Sequence, residues 1–190
     1  RDLRMSRGLG DVYKRQLQFR KSHLKFSRLN HIFISHLHGD HCFGLLGLIS
    51  TLNLLGRTAE LHIHSPKGLE TLLTPMLDFF NRQMTYKVLS HEFDTKEPML
   101  IYEDRSLTVT TIPLRHRMPC CGFLFAEKRR PNHIIREMVD FYQVPVYELN
   151  RIKNGADYVT PEGKTVSNNL LTRPSAPSRS YAYCSDTIYL

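Results

Sequence analysis

The chain has 190 residues, 41% of them hydrophobic, and a formal charge of +8 from 26 Lys and Arg against 18 Asp and Glu. That length suits one domain with a sizeable core, and the composition excludes a disordered chain of low hydrophobicity. No apolar run is long enough to span a bilayer, so no membrane is expected among the partners, and no secretory leader is visible.

Residues 1–16 show neither helical nor strand periodicity. The run Asp11-Val12-Tyr13-Lys14-Arg15-Gln16 resembles the translation of a transposase adapter used in sequencing libraries. Residues 1–16 are therefore expected to be a non-native tail, with the folded domain over 17–190. The tail holds five basic and two acidic side chains, net +3, which leaves +5 for the rest. That excess is compatible with a polyanionic partner without requiring one.

The first predicted strand is Ile32-Phe33-Ile34, an apolar run short enough to be buried in a sheet. It leads into His36-Leu37-His38-Gly39-Asp40-His41, four potential metal ligands in six residues. Histidine with carboxylate is the ligand set of zinc or a similar divalent ion. An extended H-x-H puts His36 and His38 on one side of the backbone, because side chains alternate with period two. Asp40 and His41 point elsewhere and suit a second ion beside the first. A two-metal site of that kind activates a water and clamps the oxygens of a displacement at phosphorus.

Residues 43–55 read as a helix that is apolar around most of its surface, stopped by Gly56 and buried either in the core or against a partner. Leu61–His64 reads as a short strand with His62 and His64 on one polar face. Ser65-Pro66 suggests a cap and first helical position, with a helix to about Met84 that restarts at Thr74-Pro75. Strands are expected near 86–93, 99–103 and 107–114. His116 then lies at a strand exit, before a short strand over 122–126. His23, His31, His91 and His133 stand alone and read as surface or packing residues.

Residues 127–156 change character. A charged turn precedes Asn132, placed to cap a short helix carrying Ile134, Met138, Phe141 and Tyr142. Six bases (Lys128, Arg129, Arg130, Arg136, Arg151 and Lys153) mix with four acids, so charge alone describes a solvated excursion. Thr160-Pro161-Glu162-Gly163 is a type I turn. Residues 172–180 form a Pro/Ser-rich loop. Cys42, Cys120, Cys121 and Cys184 have no C-x-x-C spacing and are expected as reduced thiols. No internal repeat is present.

Ser35-His36-Leu37-His38-Gly39-Asp40-His41 closely resembles the signature of the metallo-β-lactamase superfamily. The wider string 30–41 resembles the ribonuclease Z family of transfer RNA 3′-processing endonucleases. Three later segments resemble that family in the same order. Residues 113–123 match its histidine, turn and Gly-aromatic motif. Residues 154–163 match the hairpin after its RNA-binding arm. Residues 183–187 match the strand end with a bridging aspartate. The resemblance covers about 17–189. The family's opening strands, one more histidine ligand and a proton-transfer histidine motif are not found in this sequence.

The resemblance implies an α/β fold, a metallo-β-lactamase-like αββα sandwich of two mixed β-sheets flanked by helices, incomplete at both ends. It implies two zinc ions per subunit in the complete protein. His36, His38 and His116 hold one, Asp40 and His41 the other, Asp186 bridges them, and Asp40 also acts as the proton acceptor. It implies hydrolytic removal of the 3′ trailer from precursor transfer RNA in the cytoplasm, leaving a 3′-hydroxyl. It further implies an inserted arm over about 127–156, with RNA contacts from Lys128, Arg129, Arg130, Arg136, Arg151 and Lys153, and a homodimer through the region of residues 43–55. Two alternatives stay open: another hydrolase on the same scaffold, a phosphodiesterase or ester hydrolase, or an inactive fragment that binds zinc or RNA.

Overall fold

The computed structural model describes residues 26–80 and 83–188. The expected non-native tail, residues 1–16, and His23 lie outside the described residues. After a 3-10 turn at Phe26–Arg28 come β1 (His31–Phe33), α1 (Gly39–Cys42), α2 (Gly44–Leu54), β2 (Leu61–Pro66), α3 (Leu69–Phe80), β3 (Val88–Phe93), β4 (Leu100–Glu103), β5 (Leu107–Leu114) and β6 (Cys120–Glu127). There follow β7 (His133–Ile134), α4 (Arg136–Phe141), a 3-10 turn (Val146–Glu148), α5 (Leu149–Lys153), β8 (Tyr158–Val159), β9 (Thr165–Val166), α6 (Asn168–Leu171), β10 (Thr172–Arg173) and β11 (Ser180–Tyr183). The chain divides into two compact units, the second built from 103–108 and 126–181 and the first from the other described residues.

In the first unit β1, β2 and β3 form a parallel sheet in that order, with His31 opposite His62 and His64 opposite His91. A second sheet runs in the order β11-β6-β5-β4. The period-two alternation of β1 and β2 divides the parallel sheet cleanly. Ile32, Ile34, Leu61 and Ile63 join Leu45, Ile49 and Leu52 of α2 and Leu69 and Leu73 of α3 in one core. Each such side chain stabilises by about 1.5–3 kcal/mol when fully buried. The opposite face carries His31, Phe33, His62, His64 and His91. Phe33 meets Phe123 of β6 at 5.6 Å and Phe125 at 5.4 Å between ring centroids. Helix, parallel sheet and second sheet thus stack through an apolar layer on one side and an aromatic layer on the other.

The helix after β2 differs from the sequence reading at its start, where a distant side chain takes over the cap, and at its end, which comes at Phe80 rather than near Met84. Ser65 and Pro66 belong to β2, and α3 begins only at Leu69. Its first turn is capped from β3 instead, where Glu92 Oε1 accepts from the amides of Gly68 and Glu70 at 2.9 and 3.0 Å. A carboxylate there also suits the positive end of the helix. Helix α3 then runs through Pro75 without the expected restart. Gly56 closes α2 at φ 73°, a left-handed position that favours glycine. Arg57 is buried and ties loops together, donating to Asn30 Oδ1 at 3.1 Å and to the Glu60 carbonyl at 2.6 Å beneath the ring of Tyr86.

The second unit has its own core of Val139, Val144, Ile152, Tyr158, Val166 and Leu171. Asn132 does not cap a helix. Its amide lies 3.4 Å from Asn168 Oδ1 and 3.3 Å from Thr172 Oγ1, and α4 starts after Ile135. Asn168 is the hub of this unit, donating to the carbonyls of Ile152 and Ala156 at 2.6 and 2.8 Å.

Candidate metal centre

Three loops meet at the end of β1. Backbone bonds hold them in place: Cys121 N donates to the Ser35 carbonyl at 3.1 Å, and Ile188 N donates to the Arg115 carbonyl at 2.9 Å. The residues flanking His36, His116 and Asp186 are thus pinned to one another by groups that any side chain would leave intact. His38 is extended at φ −68° and ψ 148°, and its carbonyl accepts from His41 and Cys42 to start α1.

The result is a cluster of His36, His38, His116 and Asp186 whose ligand atoms all lie within 4.8 Å of one another. His116 Nε2 lies 3.2 Å from His38 Nδ1, and His36 Nε2 lies 3.8 Å from Asp186 Oδ2. His41 Nε2 is 3.7 Å from Asp186 Oδ2 and 3.4 Å from Asp40 Oδ2, so Asp186 stands between the two groups. All six ligand candidates read from the sequence are therefore neighbours. Asp40 is the most open of them, its side chain 68% exposed.

This donor set fits a divalent cation. His36 is fully buried, and its Nε2 has no hydrogen-bond partner although it faces the cluster. An orphaned buried lone pair is costly unless something binds it. Burial, then the neighbouring His41 and His38, lower the His36 pKa to about 4, partly opposed by Asp186. The imidazole is therefore neutral at pH 7, the form that ligates metal.

The groups behind His36 carry no signal in the sequence. Its Nδ1 lies 3.0 Å from Ser35 Oγ, which donates to Ser185 Oγ at 3.1 Å. That chain directs the Nδ1 proton backwards and leaves Nε2 free. The Cys120 thiol donates to the Asp186 carbonyl at 3.4 Å. Burial, then Asp186, pushes it up to about 11, so it remains a thiol.

The six basic candidates of the second unit have varied surroundings. Lys128 pairs with Glu103 at 2.6 Å, Arg130 with Glu127 at 3.4 Å, Arg136 with Asp140 at 3.1 Å and Arg151 with Glu148 at 3.0 Å. Among the described residues no ion pair engages Arg129 or Lys153.

Residues 9–134 match the family described as "Beta-lactamase superfamily domain". Ribonuclease Z of Bacteroides fragilis is 78% identical over 174 residues, which is 92% of this chain and 57% of that protein. Ribonuclease Z of Phocaeicola vulgatus is 69% identical over 175 residues, again 92% and 57%. The crystal structure of the short form of human tRNase Z superposes with a TM-score of 0.53 at 32% identity, covering 60% of this chain and 49% of that one. The chain thus spans a little over half the length of the curated relatives it matches.

Proposed function

This chain belongs to the β-lactamase superfamily, and from that premise we propose that it is the metal-binding part of a zinc-dependent endoribonuclease that removes the 3′ trailer from precursor transfer RNA. One observation carries the reading. A convergent His36, His38, His116 and Asp186 cluster, with an orphaned buried nitrogen, occurs in a chain 78% identical to a ribonuclease Z.

His36, His38 and His116 would hold one ion, Asp40 and His41 the other, with Asp186 between them. Bound there, paired zinc ions supply a water of lowered pKa and neutralise charge developing on the phosphoryl oxygens. The chain's own residues do the rest. Ser35 and Ser185 orient His36. Asp40, open to solvent beside His41, accepts a proton from the attacking water. As the water oxygen bonds to phosphorus the bond to the 3′ oxygen breaks: the phosphate departs on the trailer, and the 3′ oxygen takes a proton from solvent to become the transfer RNA's hydroxyl.

Residues 127–156, within the second unit, would be the RNA-binding arm. Its basic side chains contact phosphates, which gives affinity without base readout. A homodimer through the region of residues 43–55 is supported by apolar side chains left exposed there and on the next helix: Leu54, Leu55, Phe79 and Phe80 are all more than 60% exposed. Among the described residues no helix is long and apolar enough to cross a membrane. Four free cysteines suit the reducing cytoplasm.

In the full-length protein, His38→Ala or Asp40→Ala is expected to lower cleavage of a precursor transfer RNA by a factor of about 100 or more, the scale of losing a ligand or a proton acceptor. Undiminished turnover by both variants would refute the assignment. Assay of a panel of phosphodiesters and carboxylic esters beside the precursor separates this reading from another hydrolase on the same scaffold.

A further inference from the structure

Phe43 follows the metal-ligand run directly, and the chemistry described above makes no use of its side chain. The helix that starts at Gly39 runs on through it. Phe43 is helical at φ −61° and ψ −32°, and its amide donates to the Gly39 carbonyl at 2.9 Å. The buried stripe of that helix is Cys42, Leu45, Ile49 and Leu52, each no more than 6% exposed. Phe43 lies off the stripe and is 74% exposed. Asp40, three residues earlier and so its neighbour on the helix surface, is open to solvent as well.

We propose that the Phe43 ring is a stacking platform for a nucleobase beside the scissile phosphate, and so helps to position the RNA at the centre. This role rests on the reading of the centre as an RNA phosphodiesterase. Three observations carry it. The first is a built seat. The ring rests on the backbone of Gly39, where a Cβ would collide with three of its carbons. A glycine between His38 and Asp40 thus admits an aromatic ring to the ligand loop itself. The second is the setting. A lone exposed apolar side chain means little by itself. Seated on a metal-ligand loop beside an open carboxylate, it stands where substrate must pass.

The third is the chemistry of the occupant. Every nucleobase has a π-face, so an open ring holds an unstacked base whatever its sequence. An RNA phosphodiester carries a nucleoside on each side, and the flank that lies over Asp40 presents its base to the ring. A second copy of the chain is the rival occupant, since Leu54 and Leu55 are also exposed. They lie at the far end of the same helix, about 16 Å along its axis at 1.5 Å per residue. Gly47 and Ser50 occupy the surface between, so Phe43 is not continuous with that apolar patch.

The test uses zinc-loaded full-length protein and precursor transfer RNA with 2-aminopurine on one or the other side of the cleavage site. Rapid mixing is expected to quench one of the two probes before cleavage. Phe43→Leu keeps an apolar side chain on Gly39 and removes the aromatic face. It is expected to abolish the quench and to raise KM about tenfold with kcat little changed, the scale of one base stacked on a ring. Phe43→Trp should restore both. A precursor that is abasic at the quenched position should lose the same factor with unmodified protein and nothing further with Phe43→Leu. An unchanged KM or a surviving quench in Phe43→Leu overturns the proposal. So does a loss of dimer mass in that variant by light scattering, since the ring would then belong to a contact between copies. Failure of the unmodified protein to cleave any precursor would refute the reading of the centre itself, and this role with it.

Discussion

Gly122 shows how a single residue sets the approach of two strands that lead to the centre. A Cβ there would collide with the backbone carbonyl of Tyr183, three residues before Asp186. Neither partner is a flexible side-chain end, so Gly122→Ala must displace β6 or β11. Overpacking of this kind typically destabilises by about 1–3 kcal/mol. The expected result is a lower denaturation midpoint together with weakened metal binding at the Asp186 side, read by chemical unfolding and by metal titration. Wild-type values for both would mean that the contact relaxes freely. The Gly-aromatic pair after His116 was legible in the sequence as part of a motif, but the close approach of β11 that requires the glycine was not. The closeness of His36, His38, Asp40 and His41 was legible because those side chains are near neighbours in the chain. The histidine stack on the parallel sheet, His31 on His62 with His62 and His64 on His91, was not. His62 and His64 were readable as one polar strand face, but His31 and His91 looked isolated. Only the parallel register, which places His31 opposite His62 and His64 opposite His91, brings the four together. No local pattern specifies that register.

At the scale of elements, the proposed RNA arm separates its six bases into engaged and open ones. Surface ion pairs contribute little and exchange readily, so Lys128, Arg130, Arg136 and Arg151 can still turn to phosphate, at the loss of a carboxylate partner. Arg129 and Lys153 have no such loss to recover among the described residues. Arg129→Ala with Lys153→Ala is therefore expected to weaken transfer RNA binding more than Arg136→Ala with Arg151→Ala. It should also flatten the dependence of affinity on salt by about two charges. Hydrolysis of a small phosphodiester should stay unchanged in both double variants. Equal losses from both pairs, measured by titration at several salt concentrations, would remove the distinction. Element positions were mostly legible from hydrophobic periodicity: β5 occupies 107–114 as expected, and α2 falls within 43–55. The boundaries that moved did so where a distant group took over a local role. Glu92 caps α3 in place of Ser65, and Asn132 bonds to Asn168 and Thr172 rather than to a helix end. Long-range partners of that sort leave no trace in a window of a dozen residues.

For the molecule as a whole, the histidine stack should make stability depend on pH. Burial, then His91, His31 and His62, lowers the His64 pKa to about 3, against 6.5 for the ordinary side chain. Tyr102 lies against the same rings, and Glu60 Oε2 lies 4.0 Å from Nε2 of the outer His62. The unfolded chain therefore binds a proton that the folded chain refuses between about pH 3 and 6.5. The stability from a neutral, buried His64 is fully present above pH 6.5 and drains away as the pH falls through that window. His36 adds to the same trend, with its lowered pKa of about 4. The combined loss is of the order of a few kcal/mol by pH 4, a large fraction of the stability of an ordinary domain. Denaturant midpoints of metal-free protein at pH 8, 6.5, 5.5 and 4.5 should be level over the first two and fall over the last two. His64→Phe keeps a planar ring stacked on Phe33, 4.5 Å away in the native structure, and removes the titrating group. Its midpoints should fall less steeply below pH 6.5. An identical slope in the variant would assign the acid lability to His36 or to carboxylates elsewhere and not to this stack.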